Sequence, residues 1–151
     1  MLSANARFVG TDHQIDTYFN CPNGRLKLRR GNIENNLIFY NRPDSAGPKQ
    51  SNFQLAPIAD GDGMQALLTN ALGIKITVDK KRRIYFINNI KIHLDEVAGL
   101  GSFVEIEASN LNHPDKTVEE LHAQCNELMQ HLAIQEQHLI DKSYSDMVSE
   151  V

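Results

Sequence analysis

Arg25-Leu26-Lys27-Leu28-Arg29, entered through Gly24, is the stretch on which the fold turns. Side chains of an extended strand alternate faces, so Arg25, Lys27 and Arg29 share one side while Leu26 and Leu28 share the other. If the leucines pack against helices outside a curved sheet, the three cations line its inside. Unpaired charge there would be costly without a counter-ion, so the pattern points to a bound anion.

Outward from this stretch, segments of four to nine residues rich in Ile, Val, Leu, Phe and Tyr recur between turn signals. They are read as strands near 14–20, 25–31, 35–42, 49–56, 74–79, 81–87, 90–96 and 102–109. Pro22-Asn23-Gly24, Gly31-Asn32, Arg42-Pro43-Asp44, Asn88-Asn89 and Gly99-Leu100-Gly101 supply the turns. Segments of this length between such turns give the pattern of an antiparallel all-β or α+β domain, with strands joined by hairpins and not by βαβ crossovers. A helix is expected from Gly63 to Leu72, with Met64, Leu67, Leu68, Ala71 and Leu72 as its apolar stripe. Thr117 and Glu120 form a capping box ahead of a second helix, in which Leu121, Cys125, Leu128 and Leu132 recur at helical spacing. Glu136 to Val148 reads as a short helix and a docked tail.

At 151 residues with 41% hydrophobic content, the chain has the length of a single domain over 1–151 with a core of its own. No apolar run reaches the roughly 20 residues that span a bilayer, and Met1 to Gly10 lacks the pattern of a signal peptide. The expectation is a cytoplasmic protein with no membrane association. Cys21 and Cys125 form neither a zinc motif nor a disulfide framework.

The net charge of −4 conceals an asymmetry. Residues 25–93 hold 12 of the 15 Lys and Arg against five acids, whereas residues from 94 onward hold two cations against 12 acids. A cationic site inside an acidic protein suits a small anion better than a nucleic-acid duplex, which selects a broadly basic face.

Face alternation extends the cationic set to Arg42 with Tyr40, to Lys49 with Ser51, and to Lys91 with His93. In Lys80-Lys81-Arg82-Arg83 the spacing leaves two pairs open, Lys80 with Arg82 or Lys81 with Arg83. Asp95 follows His93 on one face, and Glu105 and Glu107 alternate in Phe103-Val104-Glu105-Ile106-Glu107. Carboxylates beside cations are the ingredients of a divalent metal bridged to phosphate oxygens, and equally of a plain ionic network. His93 titrates in the range useful to a base, yet a lone strand His more often packs or hydrogen-bonds. No catalytic residue is assigned.

These segments, in order, resemble the CYTH superfamily of triphosphate tunnel enzymes, and within it the class IV adenylate cyclase-like branch. The resemblance is carried by 14–19, 24–29, 37–44, 80–85, 92–101, 103–107 and 142–146. It implies an α+β fold, an antiparallel eight-stranded β-barrel with helices packed outside, whose tunnel holds a triphosphate-bearing small molecule, ATP or similar, with Mg²⁺ or Mn²⁺ as cofactor. It further implies cyclisation of ATP to cyclic AMP and pyrophosphate, or hydrolysis of thiamine triphosphate or inorganic tripolyphosphate; the alternative is a catalytically inactive polyphosphate-binding or protein-interaction module. By position it favours Lys80 and Arg82 as the inward pair. Arg25, Lys27, Arg29, Arg42, Lys49, Lys80, Arg82 and Lys91 are then the phosphate contacts, and Asp95, Glu105 and Glu107 are metal-linked or orient the cations. The family's first strand carries Glu-x-Glu-x-Lys, whereas residues 1–13 contain neither Glu nor Lys. The expectation is therefore a barrel lacking its first strand and part of its metal site, with an open edge covered by residues 1–12, a longer natural N-terminus or a second copy in a homodimer.

Overall fold

The computed structural model describes residues 6–41 and 52–150. Among them seven strands form one antiparallel sheet: β1 (Arg7–Phe19), β2 (Arg25–Arg30), β3 (Asn35–Asn41), β4 (Asn52–Pro57), β5 (Ile74–Ile87), β6 (Ile90–Val97) and β7 (Gly101–Ala108). The spatial order is β4-β3-β2-β1-β5-β6-β7, so β4 and β7 are the edges of a sheet that does not close as a barrel. Helix α1 (Gly61–Leu72) joins β4 to β5, and α2 (Val118–His131) and α3 (Tyr144–Ser149) follow β7.

The architecture agrees with the antiparallel α+β expectation, but the count of eight strands is corrected to seven among the described residues. Segments 74–79 and 81–87 are one 14-residue strand. The Lys80-Lys81-Arg82-Arg83 run contains no turn residue, and alternation continues through it: Lys80 and Arg82 are buried while Lys81 and Arg83 are exposed. Strand β1 also starts earlier than residue 14, because residues 7–13 pair with β5. Three expected turns contain the left-handed backbone they need, at Gly24 (φ 58), Asn88 (φ 52) and Gly99 (φ 81). The Arg42-Pro43-Asp44 turn and the start of the 49–56 strand lie outside the described residues.

The sheet is strongly curled. Lys91 on β6 and Glu34, just before β3, form an ion pair at 2.6 Å although β1 and β5 lie between β2 and β6. Three strand spacings in a flat sheet would separate them by about 14 Å. On the convex side Leu28, Thr17 and Phe19 are buried, where α1 lies against β1 and β2. Helix α1 carries only part of the expected stripe, since Leu67 is 61% exposed and the half-buried face runs through Met64, Gln65, Leu68 and Thr69. Helix α2 has the predicted Thr117 and Glu120 capping box, and Asn89 and Gln124 exchange two amide hydrogen bonds of 2.9 Å that tie it to the β5–β6 turn. One end of the concave side is closed by a core of Tyr18, Ile38, Tyr40, Val78 and Val97, against which Phe103, Tyr144 and Val148 pack. Among the described residues no helix is long and apolar enough to cross a membrane.

Candidate functional site

Register fixes which side chains share the concave face. Asp16 pairs with Arg29 and Tyr18 with Lys27 across β1 and β2; Asp12 pairs with Arg82 and Gln14 with Lys80 across β1 and β5. Arg82 then faces Asp95 across β5 and β6, and His93 faces Glu105 across β6 and β7. Residues directly opposite in a ladder point the same way, so the whole set converges from five strands. Lys27, Arg29, Lys80, Arg82 and Lys91 line a cavity of ≈ 800 Å³ together with Glu34, Glu105 and Glu107.

Asp16 is the hub of the cations. It is fully buried, and its carboxylate accepts from Arg29 Nε at 2.9 Å, from Arg29 Nη2 at 2.8 Å and from Lys80 Nζ at 2.7 Å. Lys27 Nζ stands 3.5 Å away. Burial alone would raise the Asp16 pKa, but Arg29, Lys27 and Lys80 outweigh it and hold the carboxyl well below the usual range. Burial pushes the Lys80 ammonium down to about 7 against the pull of Asp16, and Arg29, Arg82 and Lys27 add to that push. Lys27 is pushed down by the same burial and by Arg29, while it lies over the rings of Tyr18 and Tyr40 at 5.6 and 5.2 Å.

A second carboxylate group holds the rim. Asp12 accepts the backbone N–H groups of Ile33 and Glu34 at 2.9 Å each and so fixes the β2–β3 loop. A Cβ on Gly31 would sit 2.5 Å from Asp12 Oδ1, which explains a glycine at the start of that loop. The loop delivers Glu34, whose side chain accepts from Lys91 at 2.6 Å, Gln14 at 2.9 Å and Arg29 at 3.4 Å. Burial pushes Glu34 up, yet Lys91 and Arg29 bring it from an ordinary 4.5 down to about 2. A carboxyl depressed on folding adds stability above its unfolded pKa and loses it as pH falls through the folded one. Glu34 should therefore contribute on the order of 2 to 3 kcal/mol that is present above about pH 4.5 and gone near pH 2. Chemical denaturation of wild type and Glu34→Gln across that window should give a stability gap that closes as pH falls; a constant gap would contradict it.

Asp95 and Glu105 divide the far side. Both Asp95 oxygens are engaged, Oδ1 by Arg82 Nε at 2.7 Å and Oδ2 by Arg82 Nη2 at 2.7 Å and the Tyr144 hydroxyl at 2.8 Å. This geometry makes Asp95 the residue that orients Arg82. Glu105 is half-buried, with Arg82 Nη2 at 3.3 Å. His93 is 1% exposed, and neither ring nitrogen has a hydrogen-bond partner among the described residues. Its Nδ1 lies 3.6 Å from Glu105 Oε1, too far for a hydrogen bond. Burial pushes the imidazole below its ordinary 6.5 against the pull of Glu105. Donor atoms of His93, Glu105 and Glu107 lie within 4.8 Å of one another, and an orphaned buried imidazole beside two carboxylates fits a divalent cation.

Of the predicted phosphate contacts, Lys27, Arg29, Lys80, Arg82 and Lys91 are brought together. Arg25 shares their face but lies outside the cavity lining, where its Nη2 donates to Asp146 at 2.8 Å and clamps α3 to the sheet. Arg42 and Lys49 lie outside the described residues. Asp12, Gln14, Asp16 and Glu34 were not among the predicted site residues. The first three are legible as an alternation, Asp12-x-Gln14-x-Asp16-x-Tyr18, whereas Glu34 stands in a turn where no period applies.

A protein-family model described as CYTH domain matches residues 2–144. The chain belongs to the CYTH family. Among curated proteins, this CYTH chain is 29% identical over 156 residues to one from Methanocaldococcus jannaschii named "Putative adenylate cyclase", covering 93% of this chain and 84% of that one. Among solved structures, a conserved protein from Pyrococcus furiosus has a TM-score of 0.80 at 24% identity, with 94% of this chain and 86% of that one covered. An X-ray structure from Vibrio parahaemolyticus, titled as a "putative adenylate cyclase", has a TM-score of 0.75 at 20% identity over 95% and 84% of the two chains. Likeness at these identities establishes the shared fold.

Proposed function

We propose that this CYTH chain binds a triphosphate-bearing nucleotide on the concave face together with Mg²⁺ or Mn²⁺, and that ATP cyclisation is the reaction this arrangement serves. The observation that carries the reading is the convergence of Lys27, Arg29, Lys80, Arg82 and Lys91 on one cavity. With Arg25, six cations share that face with six carboxylates, Asp12, Asp16, Glu34, Asp95, Glu105 and Glu107, so its formal charge is 6 − 6 = 0. A polyanion enters a neutral face favourably only when cations accompany it, and His93, Glu105 and Glu107 are the group that would hold one. A divalent ion there would offset charge on the phosphate oxygens.

In cyclisation the ribose 3′-oxygen bonds to the α-phosphorus, the bond from that phosphorus to the bridging oxygen breaks, pyrophosphate departs and the hydroxyl proton is released. Arg29 and Arg82 are held rigidly by bidentate carboxylates, so their remaining N–H groups are preorganised toward charge that develops on the phosphates. Lys80 and Lys27, less firmly charged because burial pushes both down, gain most from an arriving anion.

Isothermal calorimetry with ATP and tripolyphosphate, with and without Mg²⁺ or Mn²⁺, and an assay for cyclic AMP, tests this. Metal-dependent binding and cyclic AMP are expected, with Lys27→Ala weakening affinity by tenfold or more, about 1.4 kcal/mol. Lys75→Ala, at an exposed position, should leave it unchanged. Phosphate release without cyclic AMP would assign a triphosphatase instead, and absence of binding to either triphosphate would sink the reading.

A further inference from the structure

We infer that His93 is a nitrogen ligand to the divalent ion shared with Glu105 and Glu107, and that this mixed donor set selects first-row transition ions over Mg²⁺. The inference rests on the metal-assisted reading of this face and adds the identity of a donor and the chemical class of the ion.

A buried imidazole in a folded protein nearly always bonds at one ring nitrogen or both. His93 is 1% exposed, and neither of its nitrogens has a hydrogen-bond partner among the described residues. It sits in the middle of β6, with Ile92 beside it at 0% exposure and Asp95, next along its own face, at 1%. The ladder sets Glu105 directly opposite it and Glu107 one pleat further along the same face. A lone imidazole would make a polar hole; two adjacent carboxylates turn it into a ligand set whose donor atoms lie within 4.8 Å. Donors about 2.1 Å from one ion are at most about 4.2 Å apart, so small side-chain shifts close the group. Glu107 can make such a shift, being half-buried with no hydrogen bond or ion pair to the described residues.

The donor chemistry then decides the ion. Mg²⁺ takes oxygen ligands and gives up water reluctantly, whereas the first-row ions from Mn²⁺ to Zn²⁺ bind mixed nitrogen and oxygen sites, the later ones most strongly. Asp95 is not part of this set because Arg82 and Tyr144 occupy its oxygens. Arg82 in turn holds one oxygen of Glu105 and leaves the other toward His93, so the guanidinium acts as the outer partner that orients a ligating carboxylate.

The test uses the full chain with Mn²⁺ as the probe. Pulsed electron paramagnetic resonance of the Mn²⁺ complex should show ¹⁴N coupling from one imidazole, and titrations should show Mg²⁺ at least about tenfold weaker than Mn²⁺. In His93→Gln the coupling should vanish and Mn²⁺ affinity should fall by on the order of 10–100-fold, the loss expected when a metal site is altered even at its outer partners. Mg²⁺ affinity should change less than about twofold. Because a buried substitution can prevent folding, the wild-type ¹⁴N signal decides by itself: Mn²⁺ bound without nitrogen coupling overturns the assignment. If tripolyphosphate binds normally in that case, only the His93 inference fails. Nitrogen coupling in a protein that binds no triphosphate would support the metal site and overturn the nucleotide reading alone.

Discussion

Asp16→Asn should lower the stability of this protein by about 3 to 5 kcal/mol, and tripolyphosphate should return part of that loss. The carboxylate is fully buried between Arg29 and Lys80 at 2.7–2.9 Å, with Lys27 at 3.5 Å. An amide keeps the volume but removes the charge that allows three cations to share a buried face. Breaking a buried ion pair by deleting one partner leaves its charge uncompensated, which is the strongly destabilising case. For a domain of this length each kcal/mol shifts the melting temperature by roughly 2–4 °C, so a fall of about 10 °C is expected. Ligand that binds only the folded state stabilises by mass action. An anion that takes over the role of Asp16 should therefore raise the variant's melting temperature more than the wild type's. Equal increments in thermal melts with and without tripolyphosphate would mean that the ligand does not reach Arg29 and Lys80, and the phosphate site would have to be moved.

That hub shows what the sequence can and cannot disclose. The alternation of Lys27 and Arg29 with Leu26 and Leu28 needs no tertiary information, because a strand has a period of two whatever it packs against. Choosing Lys80 and Arg82 over their neighbours does need it: both pairs alternate, and only pairing with β1, where Gln14 and Asp12 lie opposite, puts the first pair inside. The same run divides the segments read at 74–79 and 81–87, whereas the structure carries one strand through it and buries every second cation. Glu34 was illegible for another reason. It lies between β2 and β3, where no periodicity constrains its direction, and reaches the cavity only because Asp12, 22 residues away, anchors its backbone N–H. His93 was visible as an inward residue, but that both its nitrogens lack partners depends on every neighbouring side chain at once, which no local pattern encodes.

The second large effect is expected at Arg82, and a double-mutant cycle separates what it does for folding from what it does for binding. Arg82→Met should cost about 3 to 5 kcal/mol, because Asp95 at 1% exposure would keep only the Tyr144 hydroxyl. Asp95→Asn should destabilise to a similar extent by leaving the guanidinium with Glu105 alone. The double variant should be more stable than the sum of the two losses predicts, by roughly 1–3 kcal/mol, since residues in one ion-pair network couple and a neutral pair leaves no orphaned charge. Triphosphate affinity should behave differently. It should fall by tenfold or more in Arg82→Met, about 1.4 kcal/mol, and stay low in the double variant, whose stability has partly recovered. Affinity that recovered along with stability would make Arg82 a structural cation only. Loss of affinity in a well-folded double variant would mean that the ion pair is kept for its ligand: replacing a buried pair by neutral groups is often neutral for folding, so stability alone does not account for a guanidinium held at 2.7 Å by two carboxylate oxygens and aimed into the cavity.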